Sequence, residues 1–408
     1  MLAITVGILM MATPPLTVSR ALVELFPPER LPLGGYTARG GKLMDEGGDT
    51  IFSCAAVLSQ GSTKLVVVSC EMLTIPESLT REVAKRIDPH AHLFLIATHT
   101  HCAPDSQMLN DRMTFSVPGI ASFKSRWLDF YADRIAEGIK KAESAEPITV
   151  KAWQVRTTHI PLNRGRRKGA WPDTTATLVS ALDQEGKSSN LWFNFAAHAV
   201  FHGPERNRPS GDWPGRIALA TGADVLVGAI GDVSPAVLAE SKGESADDKI
   251  TDFTLAMTAR LKAAVVQMMP VAPRIGWVTE SIPLAKPVPH PDFAKSNRIP
   301  EALAQMLVEK FAPPQANISA FRLGKIAVVG IPGEPTSHLG RQIRDYGRRL
   351  GFTTVWVCSH VNGWMGYILG PDDYDAGGYE TTLSFFGREE GNKVVNAAER
   401  ALDQLARP

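Results

Sequence analysis

The chain has 408 residues, 44% hydrophobic and 21% charged, with 43 basic against 42 acidic side chains and a net charge of +1. That length and apolar fraction support a large buried core. Near-neutrality excludes a global field that would recruit nucleic acid or an acidic membrane, so selectivity must come from a local site. The four cysteines, Cys54, Cys70, Cys102 and Cys358, are too few for a disulfide framework and lack the short paired spacings of a structural zinc site. Cys54 and Cys70 could face each other across a hairpin, but two reduced core thiols are the simpler expectation.

Residues 1–15 are apolar, carry no early Lys or Arg and run into Thr13-Pro14-Pro15, so they read as a first strand rather than a signal peptide. The expectation is a cytoplasmic protein without a membrane span, since no stretch offers the ~18 uninterrupted apolar residues a span needs. Ile51 to Leu58 and Leu65 to Cys70 flank Gln60-Gly61-Ser62-Thr63 and predict a hairpin. Helical periodicity follows over Ser78 to Ile87 and over Trp127 to Ala145.

Between these helices, His92 to Asp105 reads as a buried strand emerging into a loop with His99 and His101. In extended chain, residues two apart point the same way, so both imidazoles can face one pocket as a metal ligand beside a second functional histidine. Asn163 to Lys168 is a basic loop in which Arg164 is the candidate clamp for a carbonyl or anion, while Arg166, Arg167 and Lys168 read as a solvated run. A second hairpin, Thr177 to Leu182 with Leu191 to Ala196, delivers His198 at its end. His202 reads as surface. Asp212, in Gly-Asp-Trp-Pro, and Asp232, in Gly-Asp-Val-Ser-Pro at 231–235, read as turn-stabilising carboxylates.

Further helices are expected over Ala246 to Met268, Pro300 to Phe311, Ser337 to Leu350 and Gly391 to Leu405, with a proline-rich surface loop over 283–300. A third hairpin, Ile318 to Leu323 with Ile326 to Ile331, places Glu334 just past a buried strand, where a carboxylate is costly unless paired or coordinated. A helix N-terminal acid is the plainer alternative for Glu334. After the buried strand at 353–359, the loop from Asn362 to Glu380 is rich in Gly and Tyr, and its phenols Tyr367, Tyr374 and Tyr379 could bind a metal or donate to an oxyanion. Two histidines and a glutamate make a hydrolytic zinc set with a position open for water. Hairpins alternating with crossover helices predict an α/β (α+β) chain of mixed sheets flanked by helices.

The ordered series Thr98-His99-Thr100-His101, Asn163-Arg164, Ala197-His198-Ala199, Gly231-Asp232, Gly333-Glu334-Pro335-Thr336 and Gly366-Tyr367…Gly378-Tyr379-Glu380 resembles the catalytic N-terminal domain of the neutral, or alkaline non-lysosomal, ceramidases. The resemblance runs from Thr13 to about Gly387. It implies one catalytic domain over 1–408, with the C-terminal immunoglobulin-like domain of full ceramidases absent. It implies that His99, His198, Glu334 and Tyr367 ligate one zinc, and that His101, Arg164 and Tyr379 surround the scissile amide. It implies amidase activity, by attack of zinc-activated water, on an N-acyl amide or ceramide-like substrate of sphingolipid metabolism, compatible with a homo-oligomer. At Cys102-Ala103-Pro104 the chain departs from the Ser-Gly-Pro of the family, which the resemblance places at the pocket wall. Two alternatives stand beside this. One is a binuclear metallohydrolase of lactones or phosphodiesters, which would need Asp105 or another carboxylate near His101 as a ligand. The other is a non-catalytic zinc-containing binding protein with a closed site.

Overall fold

The computed structural model describes residues 14–238, 243–271 and 275–407. The strand expected at the N-terminus falls outside these apart from its two prolines, and the first described strand is Thr17–Glu24.

All three expected hairpins form. Phe52–Gln60 and Thr63–Cys70 pair antiparallel within a five-stranded sheet whose order runs Ala91–Ala97, Thr63–Cys70, Phe52–Gln60, Thr17–Glu24, Ile148–Thr149. Its two faces alternate with period two, as buried strands require. Ala55, Val57, Val66, Val68 and Leu95 face helices Glu77–Ala84 and Ser125–Ser144, whereas Leu58, Leu65, Val67, Phe94 and Ile96 face the opposite way. That second face shares a core with a five-stranded sheet containing Ala152–His159, Thr175–Leu182 and Ser188–Phe195, through Trp153, Trp192 and Phe193. A four-stranded sheet built on Ala316–Leu323 and Ile326–Gly330 carries helices Ser337–Arg349 and Glu390–Ala406 and holds a further core.

Each of these three sheets contains one parallel pair joined by a crossover helix. Thr63–Cys70 lies parallel to Ala91–Ala97 across Glu77–Ala84, and Ser188–Phe195 to Asp224–Val227 across Asp212–Thr221. Ile326–Gly330 lies parallel to Thr354–Cys358 across Ser337–Arg349. Helix N-termini and strand carboxyl ends therefore converge on one side, the place where such sheets hold ligands.

Several local expectations change. The helix from Ala246 stops at Ala263, and Val266–Pro270 is a strand paired with Ala152–His159, because the β-branched and thioether run after Ala264 completes the sheet edge. The proline-rich stretch contains a helix, Pro291–Asn297, started by proline in its first turn and anchored by buried Phe293 and Ala294. Helix Asp212–Thr221 was hidden in the sequence by its proline and glycine. Cys54 pairs with Ser69 and Cys70 with Ser53, so the two thiols point to opposite faces; all four cysteines are free. Among the described residues, no helix is long and apolar enough to cross a membrane.

Candidate metal centre

Four side chains stand just beyond strand carboxyl ends. His99 follows Ala91–Ala97, His198 follows Ser188–Phe195, Glu334 follows Ile326–Gly330, and His360 follows Thr354–Cys358. Reaching the centre from these ends bends the backbone. Among described non-glycine residues, positive φ occurs at His99 (63°), His360 (57°) and Asn362 (56°), and otherwise only at Asp212 and Arg298. Strained backbone of this kind persists only where surrounding contacts fix it, and it concentrates at sites of function.

Those contacts are visible. Thr100 bridges to Ala199 in parallel register, tying the two histidine loops together. The Asn362 side chain accepts from the Leu95 amide at 2.8 Å and donates to the Leu93 carbonyl at 2.7 Å, docking the last loop on the first sheet's edge. Glu334 and Tyr367 are register partners in a two-residue parallel bridge. That bridge needs Gly366, at φ 91°, where a Cβ would lie 2.2 Å from the Leu383 carbonyl oxygen.

His99, His198 and Glu334 are buried, and one nitrogen or oxygen from each lies within 4.8 Å of the others. His99 Nδ1 sits 2.7 Å from the Leu73 carbonyl and His198 Nδ1 2.9 Å from the Val233 carbonyl. A carbonyl only accepts, so each Nδ1 carries the proton and each Nε2 turns its lone pair inward, the arrangement of a metal-ligating histidine. Glu334 Oε2 lies 3.2 Å from His198 Nε2 and 3.6 Å from His99 Nε2, yet has no hydrogen-bond partner. Its other oxygen accepts from the Trp364 indole at 3.3 Å and faces His360 Nε2 at 3.7 Å. Two imidazole lone pairs and an unpartnered carboxylate oxygen, converging in a buried pocket, suit a divalent cation.

Electrostatics agree. Burial drives the imidazoles toward neutrality, holding His198 down at about 4 and lowering His99. Burial opposes ionisation of Glu334, while a proton held on any of the adjacent His99, His198 or His360 favours it, and the balance puts the carboxyl well below the usual range.

The remaining expected residues divide. Tyr367 is buried with its hydroxyl 3.4 Å from His198 Nε2. His101 places Nε2 3.2 Å from His99 Nε2 and leaves Nδ1 buried without a partner. Tyr379 meets the Tyr367 ring edge-on at 5.9 Å and is 61% exposed at the mouth of a cavity of about 670 Å³. His101, His198 and Tyr367 line the same cavity.

Arg164 does not join them. It lies exposed in the short strand Asn163–Gly165, and the cavity is lined instead by Arg166, whose guanidinium sits 5.8 Å from the rings of both Tyr367 and Tyr379. Arg166 donates to the Gly231 carbonyl and to Glu380, and Arg167 reaches the second Glu380 oxygen at 3.0 Å, so neither belongs to a solvated run. The paired Glu380, buried and 213 residues away from Arg167, was beyond any local pattern.

Other placements also shift. His202 is buried beside Asp247 rather than on the surface. Cys102 is buried against Arg39, away from the cavity wall. Tyr374 packs edge-on against His290, outside the cavity. Asp232 caps helix Ser337–Arg349, accepting from the Ser337 amide at 2.6 Å and hydroxyl at 3.0 Å. Asp212 accepts from the amides of His202 and Trp213. Asp105, one carboxylate that a second metal could use, instead accepts from the Gln107 and Ala121 amides. His360 was not singled out in the sequence. Its only signal there was its position directly after a buried strand, as with His198.

The fold and site together define an α/β protein with a histidine–histidine–glutamate centre at its parallel strand ends. Two solved structures share this fold over nearly the whole chain. One is neutral ceramidase from Pseudomonas aeruginosa, at a TM-score of 0.79 and 16% identity, covering 97% of this chain and 76% of that one. The other is a ceramidase complexed with C2, at 0.80 and 16%, covering 96% and 75%. The chain has the neutral ceramidase fold. No model of a known protein family matches it, and no curated protein matches it by sequence.

Proposed function

We propose that this chain is a zinc-dependent hydrolase of an amide bond, with His99, His198 and Glu334 holding one metal ion and Tyr367 beside them. The observation that carries the reading is the convergence of two inward Nε2 lone pairs and the unpartnered Glu334 Oε2 beside an open cavity that His198, His101 and Tyr367 line. The fold shared with ceramidases supports the same class of bond. A bound zinc would supply Lewis acidity, polarising a carbonyl and bringing the pKa of water toward ~7.

The protein's own groups do the rest. Arg166 is fixed by Glu380 and the Gly231 carbonyl, and it stands between two phenols where a substrate carbonyl or a developing oxyanion can be held. Tyr379 closes that position from the mouth. Burial, with His99 and His198 nearby, keeps His101 neutral, so its imidazole can accept a proton and return it to a leaving amine. Asp105 is committed to backbone amides, which favours one metal over two.

The test is a panel of N-acyl amides from acetyl to palmitoyl, with lactone and phosphodiester controls. The reading predicts turnover of amides alone and its loss in Arg166→Ala. Lactone or phosphodiester turnover with two metals per chain would replace it with the binuclear alternative.

A further inference from the structure

The charged groups in the cavity wall are mostly cationic. Three cationic side chains, Arg166, Arg167 and Lys168, line it, against one carboxylate, Glu380. Glu380 is shared between Arg166 at 3.2 Å and Arg167 at 3.0 Å, and Arg167 also lies 3.6 Å from Asp373. Lys168 has no carboxylate partner among the described residues. The only aliphatic side chains among the described lining residues are Val200 and Ala376; the rest of the wall is guanidinium, ammonium, imidazole, phenol, carboxylate and glycine backbone.

We propose that the site takes a small amide bearing a carboxylate, with the acid directed at Lys168 and the scissile carbonyl at Arg166, rather than a long-chain lipid amide. The proposal rests on the amide-hydrolase reading and narrows its substrate. A methylene chain gains from burial against apolar surface, and the apolar surface of this wall is that of three phenol rings, Tyr36, Tyr367 and Tyr379, with Val200 and Ala376, rather than a continuous aliphatic channel. Lys168 is exposed at the rim, so an anion there keeps part of its water, and surplus positive charge along a concave wall favours it in encounter and in orientation. The cavity volume, about 670 Å³, matches small-molecule sites. A resident divalent metal would add to the positive field.

Calorimetric titration of the metal-loaded protein reads this without depending on turnover. The ligands are N-acetylglycine and N-acetyl-4-aminobutyrate, each against its neutral carboxamide, together with the N-decanoyl form of each. At least one acetylated acid should bind ~10-fold more tightly than its amide. That preference should collapse in Lys168→Glu, and the decanoyl chain should add nothing. Equal affinity of acids and amides overturns the proposal. So does a preference untouched by Lys168→Glu, which would place the acid on the metal itself, and so does a gain in affinity with acyl length. Hydrolysis of the same compounds reports separately on the amide-hydrolase reading: binding preference without turnover sinks that reading and leaves the anion site standing.

Discussion

The imidazole of His360 lies stacked on that of His99, ring centroids 4.1 Å apart and planes 16° from parallel. The same imidazole faces Glu334 Oε1, so one side chain touches two members of the metal set while contributing no atom to the cluster itself. Outer groups that fix ligand orientation typically change metal affinity by ~10–100-fold when removed. His360→Asn tolerates the positive φ of this position and keeps the fold. It should weaken zinc binding by about that factor, read by competition with a chromogenic chelator. An unchanged affinity would reduce His360 to core packing.

Arg166 and Arg164 differ by two positions and by everything that surrounds them. Arg166→Ala should lower kcat/KM by ~100-fold, in line with the loss of one preorganised charge-stabilising donor. Arg164→Ala, on an exposed side chain, should stay within about a factor of two. Steady-state kinetics on any turned-over amide decides this, and the opposite ranking would restore Arg164 to the site.

Gly366 permits the bridge that sets Tyr367 beside Glu334. Gly366→Ala meets both a positive φ and the Leu383 carbonyl, so it should destabilise the fold by roughly 2–4 kcal/mol. Calorimetric unfolding reads this as a fall in Tm, whereas Gly351→Ala, with open space around it despite its positive φ, should cost less.

Glu71 gives a pH signature away from the centre. Burial lifts its carboxyl to about 8, the Phe52 amide opposes this, and the nearby Asp49 and Asp224 add to it. The folded state thus holds a proton that the unfolded chain releases, so stability is full below about pH 4.5 and is lost as pH rises toward 8. Glu71→Gln should flatten this decline, shown by Tm measured at intervals from pH 5 to 8. A decline of equal slope in the variant would mean that Glu71 does not cause it.

Much of the frame was legible because hairpin turns and 3.6-residue periodicity are local signals. His99, His198 and Glu334 could be read for a related reason: a polar group straight after a buried apolar strand stands out in the sequence. The strand Asn163–Gly165 and its pairing with Val233–Pro235 are too short to leave a period, so nothing local in the sequence tells whether Arg164 or Arg166 turns inward. The burial of Arg167 and Glu380 depends on each other across the chain, which no window of sequence contains. His202 and Cys102 were misplaced for the same reason, since their covers, Asp247 and Arg39, come from distant segments.

The most direct test of the central claim is metal content by elemental analysis of the purified protein and of Glu334→Gln, which keeps the side chain's shape and removes its charge. The account predicts one zinc per chain in the parent protein, and less than a tenth of that in the variant after dialysis against a weak chelator, with amide turnover following the metal. Two metals per chain, or a variant that retains its zinc, would contradict it.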